Sequence, residues 1–218
     1  AILSGEPLTL TNVPRLSDIR TLSDLLESHG VEIARMSDGQ VMVLNGKDIT
    51  NIKADYEMVR KLRASFNVLG PLVGRMGEAI VSLPGGCAIG ARKVDLHMMA
   101  LEKLGATLEL DDGYVHAKAP LGGLKGAEIE SPFVTVGGTE NAITAAVLAK
   151  GTTVIKNAAR EPDTADLCKC LNAMGARIEG AGTSEIVIEG VDNLHAASHE
   201  VMADRIEIGK LMIAPAIA

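Results

Sequence analysis

Cys87 stands in the stretch SLPGGCAIGARKVDLH, residues 82–97, and its neighbours give it chemical potential. Gly85, Gly86 and Gly90 let backbone amides approach a ligand closely. Arg92 and Lys93 add positive charge just ahead of a predicted helix, whose N-terminus favours anions. A thiol in that setting ionises more readily than a free cysteine. The combination describes a reactive sulfur beside a phosphate or carboxylate site. A small residue filling a turn would explain the cysteine alone, but not the glycines and the arginine around it. The glycine spacing resembles a P-loop, yet the Lys-Ser/Thr pair that contacts phosphate and metal is missing, and no G-x-G-x-x-G follows a strand.

The other reactive side chains are less suggestive. Cys168 and Cys170 form C-x-C on a predicted helix, where residues two apart face different directions, and no second pair completes a zinc site. They are expected to be ordinary thiols. His195 and His199 have i,i+4 spacing but no third ligand, and are expected to be solvated loop histidines. His97 is either a plain helix residue or a contributor to the site. Asp163, beside Glu161 in REPDTAD, is expected to cap the helix that follows rather than touch substrate.

The bulk composition narrows the class. The chain has 218 residues, 47% of them hydrophobic and 2% aromatic, so its core is aliphatic. A net charge of −7 argues against a general nucleic-acid binder. No apolar run approaches the length of a membrane span. Three cysteines make no disulfide framework, which points to a reducing cytoplasm. The opening AILSGEP reads as the last turn of a helix and the closing KLMIAPAIA as an interrupted apolar segment, so the chain is expected to be a piece of a longer protein.

The elements that must position Cys87 repeat three times. IRTLSDLLESHGVEI (19–33), VDLHMMALEKLGATL (94–108) and ADLCKCLNAMGARI (165–178) each place a leucine four residues before a glycine. These leucines are Leu26, Leu101 and Leu171, and the glycines are Gly30, Gly105 and Gly175. The pattern is an amphipathic helix ended by a left-handed glycine, then a strand. Hairpins follow at SDGQ (37–40), DDGY (111–114) and GAGTSE (180–185). An apolar helix and a strand precede the second and third amphipathic helices. The unit is helix-strand-helix-strand-strand, and three copies predict a closed α/β domain with apolar helices inside and half-exposed sheets around them. The copies differ at one place. Leu10 and Ile155 lie twenty residues before their glycines, whereas Val81 lies twenty-four before Gly105. The four extra residues fall in the cysteine stretch, where ligand contact explains them better than scaffolding does.

At these residues the sequence closely resembles the UDP-N-acetylglucosamine 1-carboxyvinyltransferase family of enolpyruvyl transferases. The likeness continues through MVRKLRASFNVLGPLVGR (58–75), LEKLGATLELDDGYV (101–115), VGGTENAITAAVLAKGTTVIKNAAREPD (136–163) and ADRIEIG (203–209). It implies two similar domains, each an inside-out α/β barrel of three repeats, with substrates in the cleft between them. On that reading residues 1–203 are the cysteine-loop domain without its first helix, with copies at about 1–54, 55–130 and 131–203. Residues 204–218 begin the other domain. The tail helix is expected to fill the place of the missing first helix.

The implied reaction moves the enolpyruvyl group of phosphoenolpyruvate to the 3′-hydroxyl of UDP-N-acetylglucosamine and releases phosphate, with no metal or organic cofactor. It is the first committed step of peptidoglycan synthesis. Cys87 matches the cysteine that protonates the methylene carbon, forms an adduct with phosphoenolpyruvate and is alkylated by fosfomycin. Arg92 matches the arginine that holds phosphoenolpyruvate, and Arg63 one at the cleft. Two runs match sugar-nucleotide segments: Arg92, Lys93, Val94, Asp95 and Leu96, then Phe133, Val134, Thr135 and Val136. Lys93 replaces a common proline, Phe133 a lysine of some members, and Asn67 an aromatic. The Lys-Asn pair of the family precedes the chain. The aspartate that deprotonates the sugar hydroxyl and a second arginine lie beyond its end, so the chain alone is expected to be inactive. The alternative is a non-catalytic sugar-nucleotide or anion-binding module. A cysteine hydrolase lacks a Cys-His-Asn/Asp set.

Overall fold

The computed structural model describes residues 1–84 and 94–217. The first copy runs β1 (Leu8–Thr11), α1 (Ser17–Ser28), β2 (Glu32–Met36), β3 (Val41–Asn45) and β4 (Lys53–Ala54). The second holds α2 (Tyr56–Val59), a 3₁₀ turn (Arg63–Val68), α3 (Leu69–Met76), β5 (Glu78–Ser82), α4 (Asp95–Lys103), β6 (Thr107–Asp111), β7 (Tyr114–Lys118) and β8 (Glu128–Glu130). The third holds α5 (Val136–Ala146), β9 (Thr152–Lys156), α6 (Pro162–Ala173), β10 (Arg177–Glu179), β11 (Glu185–Glu189) and β12 (Ala197–Glu200), and α7 (Arg205–Ile217) follows.

Three four-stranded sheets result, with orders β12-β1-β3-β2, β4-β5-β7-β6 and β8-β9-β11-β10. In each, the first pair is parallel and the other two are antiparallel. The expected unit had three strands; the structure adds a short parallel fourth. Since β12 pairs with β1, the last copy closes onto the sheet of the first. Strands alternate as expected: in β7 Val115 and Ala117 are buried while the residues between them are not.

The glycine ends of the amphipathic helices are alike. Gly30, Gly105 and Gly175 have φ of 99°, 93° and 97°. The N–H after each glycine donates to the carbonyl of the leucine four before it: Val31 to Leu26, Ala106 to Leu101 and Ala176 to Leu171, all at 3.0 Å. That is the Schellman arrangement, in which a left-handed residue lets the last carbonyls find donors. The recurring leucine–glycine spacing in the sequence is this hydrogen bond.

Inside the sheets lie α3 and α5, with Leu69, Leu72, Val73, Ile143, Ala145 and Val147 fully buried. They approach closely because α3 is small-sided where they meet. A Cβ on Gly70 would collide with the Asn141 carbonyl, and one on Gly74 would lie 3.3 Å from the Ala145 oxygen. The helix expected to lead into β5 is broken into α2, the 3₁₀ turn and α3. Pro71 has no N–H to bond the Asn67 carbonyl, which interrupts the helical ladder there. Asn141 accepts the Gly70 N–H with its side chain, at 2.7 Å.

The tail helix does not fill an inner place. Ile206, Leu211, Met212 and Ile213 of α7 are exposed. A groove of about 380 Å³, lined in part by Leu22, Leu26, Val68, Leu167 and Leu171, lies open between α1, α3 and α6 instead. Four residues (201–204) join β12 to α7, and this connection carries the helix away from the groove.

Candidate functional site

Cys87, Arg92 and Lys93 lie outside the described residues, so the site is built here from what flanks them. Twelve residues separate β5 from α4, against five between β1 and α1 and five between β9 and α6. Seven extra residues is more than the four counted from sequence. The remaining three come from α4, which has nine residues where α1 and α6 have twelve.

Val94 caps α4, its carbonyl accepting the N–H groups of His97 (3.0 Å) and Met98 (3.2 Å). Thr135 caps α5: its Oγ1 accepts from Gly138 N at 3.3 Å and its carbonyl from Thr139 N at 3.1 Å. The 3₁₀ turn starts at Arg63. These three starts meet around one cavity of about 280 Å³, to which they contribute Arg63, Val94 and Val136 together with His97, Gly137 and Glu140. Helix starts carry N–H groups without intrahelical partners and a partial positive charge, and Arg63 adds a full one. The cavity suits a phosphate-bearing ligand.

Two ionisable groups in the wall are held close to neutral. Burial and, less strongly, Arg63 push His97 down from 6.5 to about 4, against an opposing pull from Asp95. Burial raises Glu140 from 4.5 to about 7, helped by Asp163 and Glu161 and opposed by a hydrogen bond from Asn67 Nδ2 at 3.2 Å. A neutral ring and a half-neutral carboxyl leave the guanidinium and the helix starts as the dominant field.

Of the residues expected from sequence, Arg63, Val94 and Val136 line the cavity directly. Leu96 does not line it but lies against the first turn of α5, its Cβ 3.5 Å from where a Cβ on Gly138 would sit. Thr135 shapes it as a cap, and Asp95 is exposed on the first turn of α4. Phe133 and Val134 are 71% and 52% exposed, on the approach to α5, where Ser131 Oγ donates to the Phe133 carbonyl at 2.6 Å. The Phe133 side chain therefore faces outward and its backbone is held.

Glu140 was not singled out from sequence; its signal was a lone acid at the head of an otherwise apolar helix. His97 does reach the cavity. Three other expectations are corrected or sharpened. Asp163 is not the cap of α6: Glu161 occupies that position without a side-chain cap bond, and Asp163 meets Arg205 at 3.3 Å. His199 is not a solvated loop residue: it lies in β12, 3.0 Å from Asp166, with both side chains largely covered. Cys168 and Cys170 are buried free thiols, and burial pushes Cys168 up to about 11.

Comparisons with known proteins identify the family and the fold. A family model described as EPSP synthase (3-phosphoshikimate 1-carboxyvinyltransferase) matches residues 1–218. A UDP-N-acetylglucosamine 1-carboxyvinyltransferase of Jannaschia sp. (strain CCS1) is 66% identical over 218 residues, covering all of this chain and 51% of the relative. One from Paracoccus denitrificans (strain Pd 1222) is 62% identical over 216 residues, covering 99% and 51%. Among solved structures, the enolpyruvyl transferase NikO from Streptomyces tendae superposes with a TM-score of 0.85 at 22% identity, over 98% of this chain and 50% of that one. An EPSP synthase from Acinetobacter baumannii gives 0.73 at 18% identity, over 97% and 47%. The chain thus spans about half the length of the curated relatives it matches. The likeness to these structures bears out the α/β fold of repeated units.

Proposed function

The chain belongs to the EPSP synthase family, and from that premise we propose that the whole protein transfers the enolpyruvyl group of phosphoenolpyruvate to the 3′-hydroxyl of UDP-N-acetylglucosamine, releasing phosphate. The choice of acceptor is supported by the curated relatives at 66% and 62% identity, which carry that activity in their names. The observation that carries the reading for this chain is the meeting of two helix starts and Arg63 at one cavity, to which Val94 and His97 bring the end of the cysteine stretch.

In this reading the diphosphate of the sugar nucleotide lies at the starts of α4 and α5, bound by first-turn amides and by Arg63. Arg92 holds phosphoenolpyruvate. Cys87 supplies the proton that the methylene carbon takes up as the acceptor oxygen, its own proton passing to a base on the other side of the cleft, bonds to C2. The C–O bond to phosphate then breaks, and the methyl group loses a proton to restore the double bond. The thiolate left by Cys87 can itself bond to C2, giving the covalent adduct. Lys93, Val94, Asp95 and Leu96 on one side and Phe133, Val134, Thr135 and Val136 on the other line the nucleotide. We assign residues 1–203 to the cysteine-loop domain and 204–218 to the start of a second, and the chain alone supplies one side of the cleft. The role falls in cell-wall synthesis in the cytoplasm; among the described residues no helix is long and apolar enough to cross a membrane.

Fosfomycin labelling of the full-length protein tests the assignment. Peptide mapping should place the adduct on Cys87 and not on Cys168 or Cys170, whose thiols are buried and raised. Cys87→Ser should abolish labelling and impair turnover, while Cys87→Asp should keep some turnover and resist the drug. Label on Cys168 with Cys87 untouched would refute it.

A further inference from the structure

We propose that His97 is a positioning residue of the site, fixing the first turns of α4 and α5 and the Arg63 turn at the spacing that a sugar nucleoside diphosphate requires. The inference rests on the reading of the cavity as the sugar-nucleotide site. The repeats supply the control. His97 lies eight residues before Gly105, and the residues eight before Gly30 and Gly175 are Leu22 and Leu167. Where two copies place an aliphatic residue, the middle copy alone places an imidazole, and it does so next to the cysteine stretch.

Fold stability does not explain the exchange. His97 is 6% exposed, and its Nδ1 is buried without a hydrogen-bond partner among the described residues. An imidazole at this depth carries polar nitrogens into the interior, a desolvation cost that leucine would avoid. The ring instead joins three elements. It stands edge-on to Phe66 of the 3₁₀ turn, with centroids 5.3 Å apart and planes at 85°. It also lies against the first turn of α5, where a Cβ on Gly137 would come within 3.1 Å of Cε1 and 3.3 Å of Nε2. The imidazole and the bare glycine fit one another, and their contact sets how near the starts of α4 and α5 come. Arg63 lines the same cavity as the ring, and the turn that it begins is the one whose Phe66 meets the imidazole edge-on.

The test uses the full-length enzyme with His97→Leu, Gly137→Ala and the double variant. Because Leu22 and Leu167 fill the equivalent positions, His97→Leu should fold and melt no lower than the parent. Its KM for UDP-N-acetylglucosamine should rise about tenfold with kcat nearly unchanged, since only ligand positioning is lost. Gly137→Ala should raise the same KM by pushing on the ring. In the double variant the two losses should be less than multiplicative, because the added methyl then has no ring to meet. An unchanged KM in His97→Leu, a multiplicative double variant, or a melting point lowered by His97→Leu would each overturn the proposal. A parent enzyme that does not bind UDP-N-acetylglucosamine would overturn the reading of the site itself.

Discussion

Glu140 brings a proton equilibrium into the wall of the cavity. Its carboxyl is raised from 4.5 to about 7, first by burial and then by Asp163 and Glu161. The folded state therefore holds this proton more tightly than the unfolded chain. The resulting sign is definite: Glu140 costs nothing below about pH 4.5, and its cost grows as pH rises towards 7 and is complete above it. Glu140→Gln should thus be close to neutral at pH 4 and stabilise by about 3 kcal/mol at pH 8, read from urea unfolding at both values. A stabilisation equal at the two pH values would mean that the carboxyl is not held as described. Sequence could not supply this residue. Cys87 and its glycines announce themselves locally, and Arg63 entered through the family likeness. The burial of Glu140 exists only once α5, α6 and Asn67 are packed together.

At the scale of elements, the capped helices were the most legible feature. A Schellman end is a local bond, so Leu26–Gly30, Leu101–Gly105 and Leu171–Gly175 carry it in their spacing. The surroundings of the three glycines differ, which allows a graded prediction. Gly105→Ala meets only Pro120 Cγ at 3.6 Å, so it should cost the left-handed backbone strain alone, about 1–2 kcal/mol. Gly30→Ala would also drive a methyl into the Asp48 carbonyl and to 2.9 Å from Thr50 Oγ1, so it should cost about 3 kcal/mol or more. Equal melting-point losses in the two variants would contradict the packing described. The short strands β4, β8 and β12 were not legible. They have two to four residues, too few for their alternation to stand out from the flanking loops, and each pairs in parallel with a strand that is not its neighbour in a hairpin. The break before α3 was readable in principle at Pro71, but the apolar run around it masked the lost hydrogen bond.

For the molecule as a whole, threefold repetition provides a frame and the middle copy provides the departure from it. Closure of β12 onto β1 joins the last copy to the first, and His199 and Asp166 tie the same strand to α6 at 3.0 Å. Within that frame the starts of α4 and α5 and the Arg63 turn meet where the twelve-residue β5–α4 connection ends, and the matching connections of the other copies have five residues each. The family to which the chain belongs and the curated relatives that it matches carry names with different acceptors. Phosphate release from phosphoenolpyruvate by the full-length protein, measured with UDP-N-acetylglucosamine and separately with 3-phosphoshikimate, decides between them. Release is expected with the sugar nucleotide only. Release with 3-phosphoshikimate, or with neither acceptor, would contradict it.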